Sequence, residues 1–396
     1  MPTAATVTAG GTRQGTGRQN DRAVMPTVPF IRASAPHREP AGIDVSRQFT
    51  TSDQDLGVFD VPAYGYVRSI ILVVTASGGT GGSPVVTTPE DAPFSALKSI
   101  SLTEPNGAIL SQFSSGYHLH LAHKWGGYRH PIGADFKASP TYAAIPTTGA
   151  SFAYMQRIPV EINLRDGLGS LPNQNAAATF KLRLTLAKIA DVMGGTLPTT
   201  LPTVRVRVYT ETWDQPEMSS GGATNQLTPP AMNTTQFWSE QVYNVNSGLQ
   251  TIRLTRVGNY VRNLIMIFRA TGGGTRATVA SNFPDPLTIL LDTRPLDTIE
   301  LNNFRHQMYE LTGFGGGYAD AATLKAPSVD TPNGLDNSVW VYDFCHEFDG
   351  ALGRENRDLW LPTLGSSRVE LQGTFGAAGV LTILTNDVAI AGSVFL

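Results

Sequence analysis

The chain predicts an all-β fold: two tandem eight-stranded antiparallel jelly rolls with short helices in the interstrand loops. Three observations carry that reading. First, only 15% of the 396 residues are charged, and 40 Gly and 26 Pro punctuate the sequence, which disfavours long charged helices and favours turn-rich β architecture. Second, short runs with a two-residue apolar period recur between clusters of Gly, Pro, Asn and Asp. Third, the sequence repeats itself. YVRSIILVVTASGG, Tyr66 to Gly79, aligns without a gap on YVRNLIMIFRATGG, Tyr260 to Gly273, with seven identities in fourteen positions.

Further matches follow in the same order. Leu97, Thr103, Pro105 and Ile109 align with Leu287, Thr293, Pro295 and Ile299. Gly126, Gly127 and Tyr128 align with Gly316, Gly317 and Tyr318, and Leu171-Pro172 with Leu361-Pro362. Two large units, rather than many short ones, mean duplicated domains and not a solenoid.

Residues 1–44 are rich in Thr, Gly, Ala, Pro and Arg without sustained periodicity, and read as an irregular arm. Arg13, Arg18, Arg22, Arg32, Arg38 and Arg47 outweigh Asp21, Glu39 and Asp44, so the beginning is locally basic while the whole chain carries −3. Both a solvated tail and a contact arm fit that pattern. The first roll is expected over 45–213. In it, Phe180, Leu182, Leu184 and Leu186 share one face of a strand, and Val204, Val206 and Val208 share another. The segment 214–235, DQPEMSSGGATNQLTPPAMNTT, has no periodic apolar face and reads as a linker. The second roll and its tail occupy 236–396, with strands expected at 236–245, 249–256, 260–270, 286–292, 297–301, 337–347, 367–375 and 378–387. Eight antiparallel strands per half suggest two packed sheets.

Each half also offers one helix. In SSGYHLHLAHKWGGY, Tyr117, Leu121, Ala122 and Trp125 share a face behind the candidate caps Ser114 and Ser115. The counterpart starts at Asn303, with Phe304, Met308 and Tyr309 on one face, and both helices end in glycine.

The chemistry-bearing residues do not assemble into a catalytic set, and no catalytic, cofactor or metal residue is expected. On a helix His118 lies on the Tyr117 face while His120 and His123 lie opposite, so only the latter two could share an ion, with His130 the candidate for an extra ligand. In VWVYDFCHEFDG, alternation sends Trp340, Tyr342, Phe344, His346 and Phe348 to one face, and Asp343, Cys345 and Glu347 to the other, so His346 points away from Cys345. Asp343, Glu347 and Asp349 match no calcium-loop spacing. The glycines at 78, 79, 81, 82 and 272–274 follow strong strands but lead into neither a Lys-Ser/Thr pair nor a helix, so they read as loops rather than phosphate cradles. GxSxG does not occur, and basic residues are not interleaved with aromatics as in a nucleic-acid groove, so no direct sequence-specific nucleic-acid contact is expected. One cysteine allows no intrachain disulfide and suits folding in a reducing compartment. The beginning lacks the order of a secretory signal, and no apolar run reaches membrane-spanning length, so a soluble product is expected.

Through YVRSIILVV, APFSALKSISLTEPNG, SSGYHLHLAHKWGGY and DGLGSLPN, the chain resembles the double jelly-roll major capsid proteins of tailless icosahedral double-stranded DNA viruses, including tectivirus-like bacteriophages with an internal membrane. The resemblance covers most of 45–390 and implies a virion subunit made in the host cytoplasm, with no active site. It implies two rolls side by side and homotrimeric pseudo-hexagonal capsomers tiling a shell. The implied partners are other copies of itself, minor capsid or vertex proteins, and an inner viral membrane facing the amino-terminal arm. A minor capsid, vertex or spike protein is the alternative within that class; an enzyme or carbohydrate-binding protein on two rolls is the alternative outside it.

Overall fold

The computed structural model describes residues 27–82, 85–87, 89–126, 141–145, 149–162, 166–220, 223–272, 276, 282–300, 303, 306, 338–344 and 357–390. Sixteen strands form the two rolls. The first contains β1 (Pro36–Gln48), β2 (Gln54–Asp60), β3 (Tyr66–Ser77), β4 (Leu97–Thr103), β5 (Ile109–Phe113), β6 (Gly149–Pro159), β7 (Lys181–Leu186) and β8 (Thr203–Trp213). The second contains β9 (Thr235–Val245), β10 (Gly248–Leu254), β11 (Tyr260–Ala270), β12 (Leu287–Leu291), β13 (Arg294–Ile299), β14 (Val339–Asp343), β15 (Val369–Phe375) and β16 (Gly379–Ala389).

Strand order shows the duplication directly. In the first roll the sheets run β1-β8-β3-β6, extended beyond β6 by a strand at Thr141–Ile145, and β2-β7-β4-β5; in the second they run β9-β16-β11-β14 and β10-β15-β12-β13. Adding eight to each label converts one roll into the other. The repeat also holds at single residues: Leu171 and Pro172 pair with Val67 and Tyr66, while Leu361 and Pro362 pair with Val261 and Tyr260. The alignment of Pro105 with Pro295 does not hold. Pro105 lies in the five-residue connection after β4, whereas Pro295 sits inside β13 opposite Leu290, because the second hairpin turns on Asp292 and Thr293 alone. A shorter turn slides the following strand along its partner.

Residues 36–44 are not irregular. They form most of β1, an edge strand paired along β8 from His37–Thr212 to Asp44–Arg207. Pro36 and Pro40 are tolerated there because an edge strand needs ladder bonds on one side only. Before it, α1 (Phe30–Ala33) buries the Phe30 ring against Tyr66 and Trp213 at 5.3 and 6.3 Å. Within 214–235, residues Ala223–Asn225 pair with Thr27–Val28, so the linker ties down the start of the described chain.

The helix α2 (Gly116–Trp125) forms where its sequence places it. The Ser115 hydroxyl caps Tyr117 N–H at 3.2 Å, and the chain leaves the helix at Gly126. Its first residue must be glycine-sized, because a Cβ at Gly116 would stand 2.2 Å from the Phe94 carbonyl oxygen. All ten residues of α2 are buried, since the helix lies between the two rolls. The counterpart helix falls outside the described residues apart from Asn303 and His306.

Candidate functional site

Among the described residues, polar contacts gather at the seam between the rolls. Strand pairing does not stop at the roll boundary as jelly-roll logic suggests: β9 meets β5 in parallel at Trp238 and Ser111, making one continuous row β14-β11-β16-β9-β5-β4-β7-β2. Beside that junction the buried Trp238 packs on Phe113 with ring centroids 6.2 Å apart. A single apolar cluster accordingly includes Ile70, Leu97 and Leu121 from the first roll and Leu264, Phe268 and Ile383 from the second.

Polar contacts follow the same line. Glu240 of β9 accepts from Ser114 N–H at 2.9 Å and from the Ser114 hydroxyl at 2.5 Å, and pairs with His118 Nδ1 at 2.9 Å. Burial works against its charge, but the His118 hydrogen bond and attraction, with the Ser114 bonds, outweigh burial and pull Glu240 down to about 2. Gln236 donates through Nε2 to the carbonyls of Val160 and Glu161 at 3.2 and 2.9 Å. Arg269 reaches Asp91 at 2.6 Å, Arg276 reaches it at 3.2 Å, and the Arg276 guanidinium lies 4.8 Å over the Tyr117 ring. Arg357 joins Asp166 at 2.7 Å. Ile162 and Leu168 share a small apolar cluster with Trp360 and Val388.

At one end of the seam lies Glu161, 3% exposed, receiving Arg68 Nε at 2.8 Å and Trp213 Nε1 at 2.9 Å. Burial is the dominant influence and pushes its carboxyl up to about 7, against the opposing pull of Arg68. Sequence reading gave Glu161 no role. The signal that could have found its partner was the arginine shared by both YVR motifs.

The sequence-singled residues disperse. His118 serves the seam, whereas the His120 ring stacks on Phe94 at 3.8 Å, and His123 is buried at 5% exposure. His130, Cys345, His346, Glu347, Phe348 and Asp349 lie outside the described residues. Trp340 stacks on Phe283 at 4.6 Å inside the second roll, as the alternation predicts, but the opposite face of β14, with Val339 and Val341, is buried as well. Gly78, Gly79, Gly81 and Gly82 all have positive φ, and the loop closes on Thr199 and Thr200 through backbone bonds of Thr80 and Gly81. Among the described residues no group of three or more His, Cys, Asp or Glu side chains could hold a metal ion, and no helix is long and apolar enough to cross a membrane.

No family model and no curated protein matches the chain. Solved structures do. The STIV MCP is similar at TM-score 0.57 and 11% identity, covering 90% of this chain and 97% of its own. PBCV-1 VP54, in a fit to the virophage Sputnik, gives 0.58 and 12%, covering 92% and 97%. The major capsid protein P2 from bacteriophage PM2 gives 0.53 and 9%, covering 91% and 100%. At such identities the likeness is one of fold. With the strand order above, it defines the chain as a double jelly-roll protein over nearly its whole length.

Proposed function

We propose that the chain is a major capsid protein: a structural subunit that forms homotrimeric, pseudo-hexagonal capsomers and tiles an icosahedral virus shell. The observation that carries this reading is one topology used twice and fused by a buried seam into a single body. A chain holding two near-equivalent units gives six around an axis when three copies associate, and six such units fill a hexagonal lattice. That the similar solved structures include a major capsid protein from bacteriophage PM2 supports the reading. The constructed polar sites join roll to roll, which suits a shell subunit better than an enzyme.

In this reading the units are the first roll up to 213, the second from 236, and 214–235 between them. The residues before Thr27 are the basic arm, directed to the shell interior and to an inner membrane where one is present. Minor capsid or vertex proteins are further partners, and no cofactor or direct sequence-specific nucleic-acid contact is required.

Light scattering across a dilution series, with averaged images of the particles, tests this. A trimer with a six-cornered outline that persists on dilution is expected, because obligate interfaces bury roughly 2,000–5,000 Å². A folded, stable monomer at micromolar concentration overturns it.

A further inference from the structure

The tip of the β4–β5 hairpin reads Glu104-Pro105-Asn106-Gly107-Ala108, and residues 105–108 are all exposed. Two backbone bonds close it: Gly107 N–H donates to the Glu104 carbonyl at 2.9 Å, and Glu104 N–H to the Ala108 carbonyl at 2.8 Å. Gly107, at φ +88°, takes the left-handed position that ends such a turn, which is why glycine stands there.

The side-chain amide of Asn106 is held at both polar atoms. Its Oδ1 accepts Ala108 N–H at 2.8 Å, and its Nδ2 donates to Glu104 Oε2 at 2.9 Å. The first bond closes a ring that contains the Gly107 nitrogen, so the side-chain carbonyl is folded back over the peptide that follows it. It also sets a donor at the oxygen where negative charge develops when Cγ is attacked. The attacking nitrogen would belong to the one residue type without a Cβ, and the space beside Gly107 is open, since a Cβ built there meets no atom within 4 Å.

We propose that Asn106–Gly107 is a self-modification site, at which the folded protein converts Asn106 to aspartate and isoaspartate with water as the only co-reactant. The bond from Gly107 N–H to Glu104 opens, and the nitrogen attacks Cγ of Asn106 and releases its proton to solvent. The Cγ–Nδ2 bond then breaks, and the nitrogen leaves as ammonia with a proton taken from solvent, leaving a cyclic imide. Water adds to either imide carbonyl and that C–N bond breaks, which restores the ordinary main chain or diverts it through the side chain. Nothing is oxidised or reduced. Either product puts a carboxylate where Nδ2 met Glu104, so like charges face each other at the hairpin tip. The chemistry is the same whether or not the chain builds a shell.

Asn175 provides a standard within the same chain. It is exposed and its Oδ1 accepts Ala177 N–H at 2.9 Å in the same kind of turn, but the residue after it is Ala176, whose Cβ crowds the attacking nitrogen. The full-length protein is held folded at mildly alkaline pH, sampled over days, digested in acid and mapped by mass spectrometry, with the two products separated chromatographically. The Asn106 peptide should gain the mass of an NH2-to-OH exchange, as both products, many-fold faster than the Asn175 peptide. In A176G, Asn175 should convert several-fold faster than in the wild type. An Asn106 that stays intact in the folded protein while the same chain in urea converts it would show that the turn protects the residue, and overturns the proposal. Equal rates at Asn106 and Asn175, or an Asn175 rate unmoved by A176G, overturn it as well, because the following glycine would then not decide the reaction.

Discussion

Arg68 and Arg262 are the same residue of one motif written twice: each is the unpaired residue of a β-bulge in the third strand of its roll. Opposite β8, pairing jumps from Ser69–Glu211 to Val67–Thr212; opposite β16, it jumps from Val261–Asp387 to Asn263–Asn386. In both rolls the carbonyl of the bulged arginine accepts a backbone N–H just beyond the neighbouring strand, from Val160 and Glu161 in one and Phe344 in the other. Both guanidinium groups lie over a tryptophan, Trp213 at 4.1 Å and Trp360 at 5.9 Å. A bulge re-aims one side chain and is kept as a unit, which is why this position survives where the surrounding loops diverge.

Their partners differ, and that sets unequal costs. Arg68 neutralises Glu161, whereas Arg262 donates to neutral oxygens of Asn386 and Gln236 at 2.6 and 3.3 Å. At a pH well above 7, where Glu161 is ionised, R68M leaves a buried carboxylate without its guanidinium and should cost about 3–5 kcal/mol. R262M should cost about 1–3 kcal/mol, because Asn386 keeps its bonds to Gln236 and to the Phe237 carbonyl. Urea midpoints at about pH 8.5, above the folded value of Glu161, check the order, and an R262M loss equal to that of R68M would remove the charge argument.

Glu161 should also make stability fall as pH rises. Its folded value of about 7 stands above the ordinary 4.5, so between those values the folded protein holds more protons than the unfolded chain. The contribution is complete below pH 4.5 and is lost as pH rises through about 7, with a slope of up to about 1.4 kcal/mol per pH unit. E161Q should flatten that limb of the curve of urea midpoint against pH. An unchanged slope in E161Q would assign the dependence elsewhere.

Strands that alternate apolar and polar residues were legible because one face meets a core and the other water. β7, with Leu182, Leu184 and Leu186 inward and Lys181 and Arg183 exposed, is of this kind. β1 was not legible: its inward residues are only Ala41, Ile43 and Val45, interrupted by the prolines of an edge strand. The two-sided burial of β11 and β16 was equally hidden, because a continuous apolar run does not say what covers its second face. For α2 the period gave the helix, but not that the second roll would meet it at His118. The seam joins residues more than a hundred positions apart, such as Ser114 and Glu240, and no local pattern encodes such a pairing.

Phe30 should act as the anchor of the amino-terminal segment. Its ring is 1% exposed, and Gly167, with φ +80°, leaves room for it; a Cβ there would stand 3.2 Å from the ring. F30A should cost about 3–5 kcal/mol if the site cannot collapse. Its local signature is a new trypsin cut at Arg32, slow in the wild type because α1 and β1 hold the backbone on both sides. If cleavage there is equally fast in both proteins, the segment is held by other contacts.

The seam should weaken on the acid side through Glu240. This carboxylate, held down to about 2 against an ordinary 4.5, binds fewer protons folded than unfolded, so its contribution is complete above pH 4.5 and is lost as pH falls through about 2. Its partners Ser114 and His118 both come from the first roll, while Glu240 itself belongs to the second, so the loss falls on the joint and not on either core. E240A should lower the unfolding midpoint at neutral pH by removing the acceptor of three donors in a dry junction, and E240Q should remove the acid limb that this residue contributes. Calorimetry gives the sharper readout. With the seam intact the rolls share one apolar cluster and should unfold in one transition; in E240A, or in the wild type at low pH, the heat should divide into two. A single transition under all three conditions would mean that the Trp238–Phe113 contact and the Arg269–Asp91 pair bind the rolls without Glu240.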